Sequence, residues 1–172
     1  WQIGYVSFPT ANVWKEGLLN ELKAQFAKAK EAGLVSGNLR TYIQPSFDTA
    51  TPEQQTQAIQ QMVRDGVDLI FVHPLNSRAQ AASFDEAGKK GVPIVLTSDV
   101  APDSKYVVNL TTFNQGPGYT DFLKMQADKG WFNGEPRKWL EVRGLEGNTF
   151  EQTAHDAAEA AVKPCKGAEK VG

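Results

Sequence analysis

An α/β fold built on a doubly wound parallel sheet is predicted by three features of this 172-residue sequence. Apolar runs of strand length alternate with stretches of helical period, the order expected when helices connect parallel strands. The helical stretches stop at Gly33, Gly66, Gly91 and Gly130, the residue type that best tolerates the left-handed turn after a helix. Runs such as Leu69-Ile70-Phe71-Val72 are apolar without alternation, as strands covered on both faces are.

Ile3 to Ser7 is the first strand. Trp14, Leu18, Leu22 and Phe26 then recur at spacing four with Leu19 beside them, while Lys15, Glu16, Glu21, Lys23, Lys28 and Lys30 fall opposite, so a helix with one buried stripe follows. Leu39 to Gln44 is the second strand. Thr51-Pro52-Glu53-Gln54 has the form of a capping box with proline at the first helical position and opens the second helix. Asp68 to His73 is the third strand, and Ser77-Arg78-Ala79-Gln80 is a second box opening the third helix. Strands at Pro93 to Thr97 and Tyr106 to Leu110 complete the sheet. A helix from about Gly118 to Lys129, a strand around Lys138 to Arg143 and a helix around Thr149 to Val162 follow, and Ala168 to Gly172 reads as a loop approaching another strand. Residues 1–110 therefore form one α/β lobe, and 111–172 the beginning of a second, incomplete one. One strand and two helices do not close a core, since a small sheet needs three or more strands with a covered face, so the chain reads as a fragment of a longer protein.

The composition narrows the function classes. With 18 basic against 20 acidic residues, no concentrated positive face is available for a nucleic acid backbone. No apolar run approaches the ~18 residues of a membrane span, so no direct membrane insertion is expected. Cys165 is the single cysteine, which excludes an internal disulfide and reads as an unpaired thiol. Asn109-Leu110-Thr111 matches a glycosylation sequon by chance, within a run that reads as buried strand.

Ligands of open α/β sheets bind beyond the carboxyl ends of the strands. The loops there carry Phe8, Asn12, Trp14, Phe47, Asp48, His73, Asn76, Ser98, Asp99, Asn114 and Gln115. The loop after the first strand, Ser7-Phe8-Pro9-Thr10-Ala11-Asn12-Val13-Trp14, lacks the glycines that would let a backbone approach a phosphate. Aromatic rings with amides and single carboxylates suit an uncharged polyol, whose C–H face the rings cover while polar groups take its hydroxyls. Each residue has a second reading. Trp14 leads the buried stripe of its helix or touches ligand; Asn12 caps that helix, binds, or does both through different atoms. His73 is a hydrogen-bonded structural group or a ligand contact, and either Ser98 or Asp99 could instead cap the turn at Ala101-Pro102-Asp103. Asp48 makes a turn before Thr51, and His155 is solvent-exposed on a polar helix. No enzyme pattern is present: there is no nucleophile elbow or Gly-rich phosphate loop, and His73 and His155 have no metal-ligand partners at the usual spacing. No cofactor is implied.

Ile3-Gly4-Tyr5-Val6 followed by Asn12-Val13-Trp14, then Asp68 to Pro74 with Asn76-Ser77, then Gly91 to Leu96, Asn114 with Gly116 or Gly118, and Leu140-Glu141-Val142-Arg143-Gly144-Leu145-Glu146-Gly147 form an ordered set. In that order the chain resembles the sugar-binding members of the type I periplasmic binding proteins, the ribose-binding-protein-like solute receptors of ABC transporters. The resemblance implies a two-lobed periplasmic or lipid-anchored extracytoplasmic receptor, monomeric when complete, that closes on a monosaccharide or polyol and delivers it to a membrane permease. The chain would cross between lobes near Asn109 to Thr112. It implies sugar contacts at Asn12 and Trp14 with Phe8 nearby, at His73, and at Ser98 or Asp99, where the family places an aspartate after the fourth strand. The family's arginine after Gly147 is missing, and Thr149, Gln152 or His155 stands in its place. The same superfamily holds effector cores of lactose-repressor-like regulators and extracytoplasmic sensor domains, which are the alternative readings. A helix-turn-helix module encoded upstream would favour the regulator.

Overall fold

A computed structural model describes residues 1–10, 12–99, 101, 104–109, 115–131 and 136–172. The turn read at Ala101-Pro102-Asp103, the crossing near Asn109 to Thr112 and the candidate Asn114 fall wholly or partly outside the described residues. The chain divides into two compact units, Trp1–Thr112 and Phe113–Gly172.

The first unit holds β1 (Ile3–Ser7), α1 (Val13–Glu31), β2 (Arg40–Ile43), α2 (Pro52–Arg64), β3 (Leu69–His73), α3 (Ser77–Lys89), β4 (Ile94–Leu96) and β5 (Val107–Asn109). Its five strands are parallel in the order β2-β1-β3-β4-β5, with β1 flanked by β2 and β3, so the strand order reverses beside the loop that follows β1. That reversal is where open sheets leave room for ligands. Gly4, Val6, Ile70, Val72, Ile94 and Leu96 alternate onto the face covered by α2 and α3 and join Ile59, Met62 and Phe84 in the core. A side chain at Gly4 would stand 2.7 Å from Met62 Sδ, so this strand position admits glycine because α2 lies directly on it.

Two local expectations shift by one residue. The inward line of α1 begins at Lys15, 8% exposed, and continues through the buried Leu19 and the half-buried Leu22 and Phe26, while Trp14 is 58% exposed. Starting the spacing at 15 fits Leu19, Leu22 and Phe26 as well as starting at 14, and burial selects the former. The cap expected at Ser77 is supplied instead by Asn76: its Oδ1 accepts from Ala79 N at 3.0 Å, and Gln80 Oε1, one residue beyond the box position, accepts from Asn76 N at 3.2 Å. Ser77 is consequently a buried first-turn residue. The Thr51 box forms in full, with both reciprocal bonds to Gln54.

The second unit holds α4 (Gln115–Asp128), β6 (Arg137–Trp139), α5 (Thr149–Val162) and β7 (Ala168–Lys170). β6 and β7 pair in parallel, and α4 packs on α5. The strand expected to run to Arg143 ends at Trp139. A two-stranded sheet gives that run one neighbour, and Leu140 and Val142 stay 65% and 90% exposed, so the burial that would extend the strand is missing here. Ala168–Lys170, read as a loop, forms a strand by pairing with Arg137–Trp139.

Candidate ligand site

At the carboxyl edge of the first sheet, β1 delivers Phe8, β3 delivers His73, and the residues after β4 deliver Thr97 and Ser98. His73 lies beside Ser7 in the ladder, which sets its imidazole next to the start of the β1–α1 loop. Its ring meets Phe8 edge-on at 4.7 Å and Trp14 at 5.6 Å between centroids. Phe47, from the turn after β2, meets Phe8 at 5.9 Å. The result is an aromatic floor, with Phe8 and His73 buried and the Trp14 indole standing open to solvent.

His73 is held at every polar atom. Its Nδ1 lies 3.3 Å from Thr97 Oγ1 and its Nε2 3.0 Å from Ser98 Oγ. The Thr97 hydroxyl also lies 3.4 Å from the Val72 carbonyl, so the imidazole is held between two hydroxyls that are themselves fixed by the ends of β3 and β4. The His73 carbonyl accepts from Gln55 Nε2, and Leu75 N donates to Gln55 Oε1, so α2 pins the turn after β3. Burial, reinforced by the positive charge of Lys15, pushes the imidazole pKa down to about 3 and keeps the ring neutral at physiological pH.

The other candidates distribute as follows. Asn12 is the N-cap of α1, its Oδ1 accepting from Lys15 N at 2.9 Å, while the residue itself stays exposed. Ser98 is half-buried against His73, and Asp99 is buried at 9% exposure. Asn76 caps α3, and Asp48 is exposed in the turn before Thr51. The structure thus gathers Phe8, Trp14, His73 and Ser98 into one contiguous cluster.

Lys15 belongs to the same cluster, on the opposite side of its helix from the one the spacing predicts. Its ammonium sits 3.6 Å from the Phe8 centroid and 4.7 Å from that of Phe47, with the Pro9 carbonyl at 3.5 Å. Burial lowers its pKa to about 8. The signal that could have found it is the line Lys15, Leu19, Leu22, Phe26, whose spacings of four, three and four fit a helical face as well as the fours that start at Trp14.

In the second unit, Asn148 Oδ1 accepts from Glu151 N at the start of α5, and Thr149 is buried in the first turn. Gln152 is exposed; it accepts from Arg143 at 3.4 Å and donates to Asp156 at 2.7 Å. Arg143 grips Glu151 through two donors, which raises its own pKa. His155, expected in solvent, is half-buried with Nδ1 2.8 Å from a Glu141 carboxylate oxygen. Glu159, four residues on, brings a second carboxylate, so a metal-ligand spacing missed in the sequence exists: ligand atoms of Glu141, His155 and Glu159 lie within 4.8 Å of one another. The Lys170 ammonium already bridges the two carboxylates, at 2.8 Å from Glu141 and 2.6 Å from Glu159. Burial would raise the Glu141 pKa, but hydrogen bonds from Lys170 and His155 outweigh it and hold the carboxyl below its usual range. A cleft of about 500 Å³ beside this network is lined by Phe122, Trp139, Leu140, Glu141, Arg143 and His155, among others.

Comparison with known proteins accounts for this architecture. No curated protein matches the sequence significantly. Among solved structures, an ABC transporter solute binding protein from Burkholderia multivorans, carrying an unknown ligand represented as α-D-erythrofuranose, aligns with TM-score 0.66 and 20% identity over 99% of this chain and 58% of its own. A galactofuranose binding protein aligns with TM-score 0.67 and 19% identity over 99% and 54%, and a Caulobacter myo-inositol binding protein with TM-score 0.69 and 13% identity over 98% and 55%. At these identities the likeness is one of fold, and the chain spans a little over half the length of each. The family model described as a periplasmic binding protein domain matches residues 3–171, end to end through both units, and the chain belongs to that family.

Proposed function

We propose that this chain is the ligand-binding part of a solute receptor for an ABC-type importer, taking a monosaccharide or polyol outside the cytoplasm and presenting it to a membrane permease. The observation that carries the reading is the exposed Trp14 indole set against the buried Phe8–His73 pair at the strand-order reversal. An apolar ring open to solvent beside fixed hydroxyls and amides matches the two-faced chemistry of a sugar. Trp14 stacks on the C–H face; Asn12, Ser98 and Asp99 take hydroxyls; His73 fixes Ser98 and the ring floor. Thr149 and Gln152 of the second unit are further proposed ligand contacts, in the stretch where the family resemblance implies an arginine. Family membership and the sugar and inositol ligands named for the structural neighbours support this class of solute.

Titration calorimetry of the chain against pentoses, hexoses, their furanose-rich members and inositols tests it. Binding of at least one, weakened about tenfold or more by Trp14→Ala, is expected. Saturable binding that Trp14→Ala leaves unchanged overturns the assignment of the site.

A further inference from the structure

Lys15 is a buried residue, 8% exposed, and its ammonium lies against the Phe8 and Phe47 rings at the carboxyl edge of the first sheet. No carboxylate pairs with it among the described residues: the ion pairs there involve Arg40, Arg143, His155 and Lys170, and burial is the sole cause of its lowered pKa. Its contacts are two ring faces and one carbonyl at the limit of hydrogen-bond distance. Ring faces attract a cation, yet they replace lost hydration incompletely, and a buried charge is ordinarily matched by an opposite one. The expectation of an uncharged ligand rests on the aromatic and amide side chains of the loops and on the absence of loop glycines; the fold adds Lys15 to that cluster.

Resting on the sugar-receptor reading above, we propose that the ligand is a sugar acid, whose carboxylate pairs with Lys15 while its ring lies against Trp14. The ammonium ends a flexible four-carbon stem, so it can leave the Phe8 and Phe47 faces to meet an anion entering beside Trp14. A carboxylate fits better than a phosphate. The β1–α1 loop has no glycines to bring its backbone close to a phosphate, and Asn12 Oδ1 already takes the Lys15 N–H at the N-terminus of α1.

Matched pairs tested by calorimetry on the whole 172-residue chain decide the matter: D-galacturonate against D-galactose, D-glucuronate against D-glucose, D-gluconate against D-glucitol. The acid of at least one pair is expected to bind about tenfold or more tightly than its neutral partner, a ratio that falls to near one in Lys15→Met and is largely retained in Lys15→Arg. The wild-type ratio is read without any variant, so a misfolded Lys15→Met does not block the test. A neutral partner that binds as well as or better than its acid overturns the sugar-acid assignment and leaves the sugar-receptor reading standing. Galactose 6-phosphate binding more tightly than galacturonate overturns it in favour of phosphate. Failure of every acid and neutral sugar to bind overturns both readings.

Discussion

At the scale of single residues, the site combines a neutral histidine with a buried cation. Between pH about 3 and the ordinary 6.5, the folded chain keeps His73 unprotonated while an unfolded chain would protonate it. Folding then binds fewer protons, so stability rises with pH through that window and is lost as pH falls through it, by on the order of a few kcal/mol for a ring this buried. Urea midpoints measured from pH 7 down to pH 4 should therefore fall faster in the native chain than in His73→Gln, whose amide has no such titration; parallel slopes would remove the imidazole as the cause. Trp14 is the opposite case. Its indole is 58% exposed, so Trp14→Ala should shift stability by no more than about 0.5 kcal/mol while weakening sugar affinity, a separation that thermal melts and calorimetry on one preparation can check. Both residues were candidates on the sequence alone. Their different physical states were not, because exposure at the first turn of a helix depends on which way α1 rolls onto the sheet.

At the scale of elements, the strands and helices follow from local chemistry, and the misplacements have local causes. Strand existence was legible from apolar run length, and helix ends from glycine: Gly66 and Gly91 hold φ of +78° and +84°, a backbone region that favours glycine. The cap of α3 moved from Ser77 to Asn76 because both are good caps and only the position of the β3–α3 turn selects between them. Asn76→Ala should cost about 1 kcal/mol, and Ser77→Ala should not act through capping; urea titration of the pair tests the assignment. Gly88 gives a sharper case. A Cβ there would stand 2.3 Å from Tyr106 Cβ, so α3 touches the chain entering β5 at a position that no local pattern marks. Alanine normally favours a helix by ~1 kcal/mol over glycine, yet Gly88→Ala is expected to destabilise by about 1–3 kcal/mol because helix or strand must shift. A gain in the melting midpoint would contradict that contact.

For the whole molecule, the two units are unequal. Among the described residues, the buried apolar side chains lie in the first unit except for Ala158 and Val162. Phe122, Met125, Leu140 and Val142 of the second unit are all more than two-fifths exposed. Hydrogen exchange should consequently release β6, β7 and α5 well before β1, β3 and β4, and unfolding should depart from a single two-state transition. Ile59→Ala, at a fully buried site, should cost about 2–5 kcal/mol and move only the transition of the first unit. One cooperative transition reported alike by amides of both units would count against separate cores.

The α/β class, the parallel sheet, nearly all element positions and the loop composition of the candidate site can be read from the order of residues, because hydrophobic period, turn residues and caps act over a few positions along the chain. The roll that exposes Trp14 and buries Lys15, the two hydroxyls that fix His73, and the end of β6 at Trp139 required the folded chain. Each depends on contact between segments far apart in sequence, where two registers with equal local merit are separated only by what they bury.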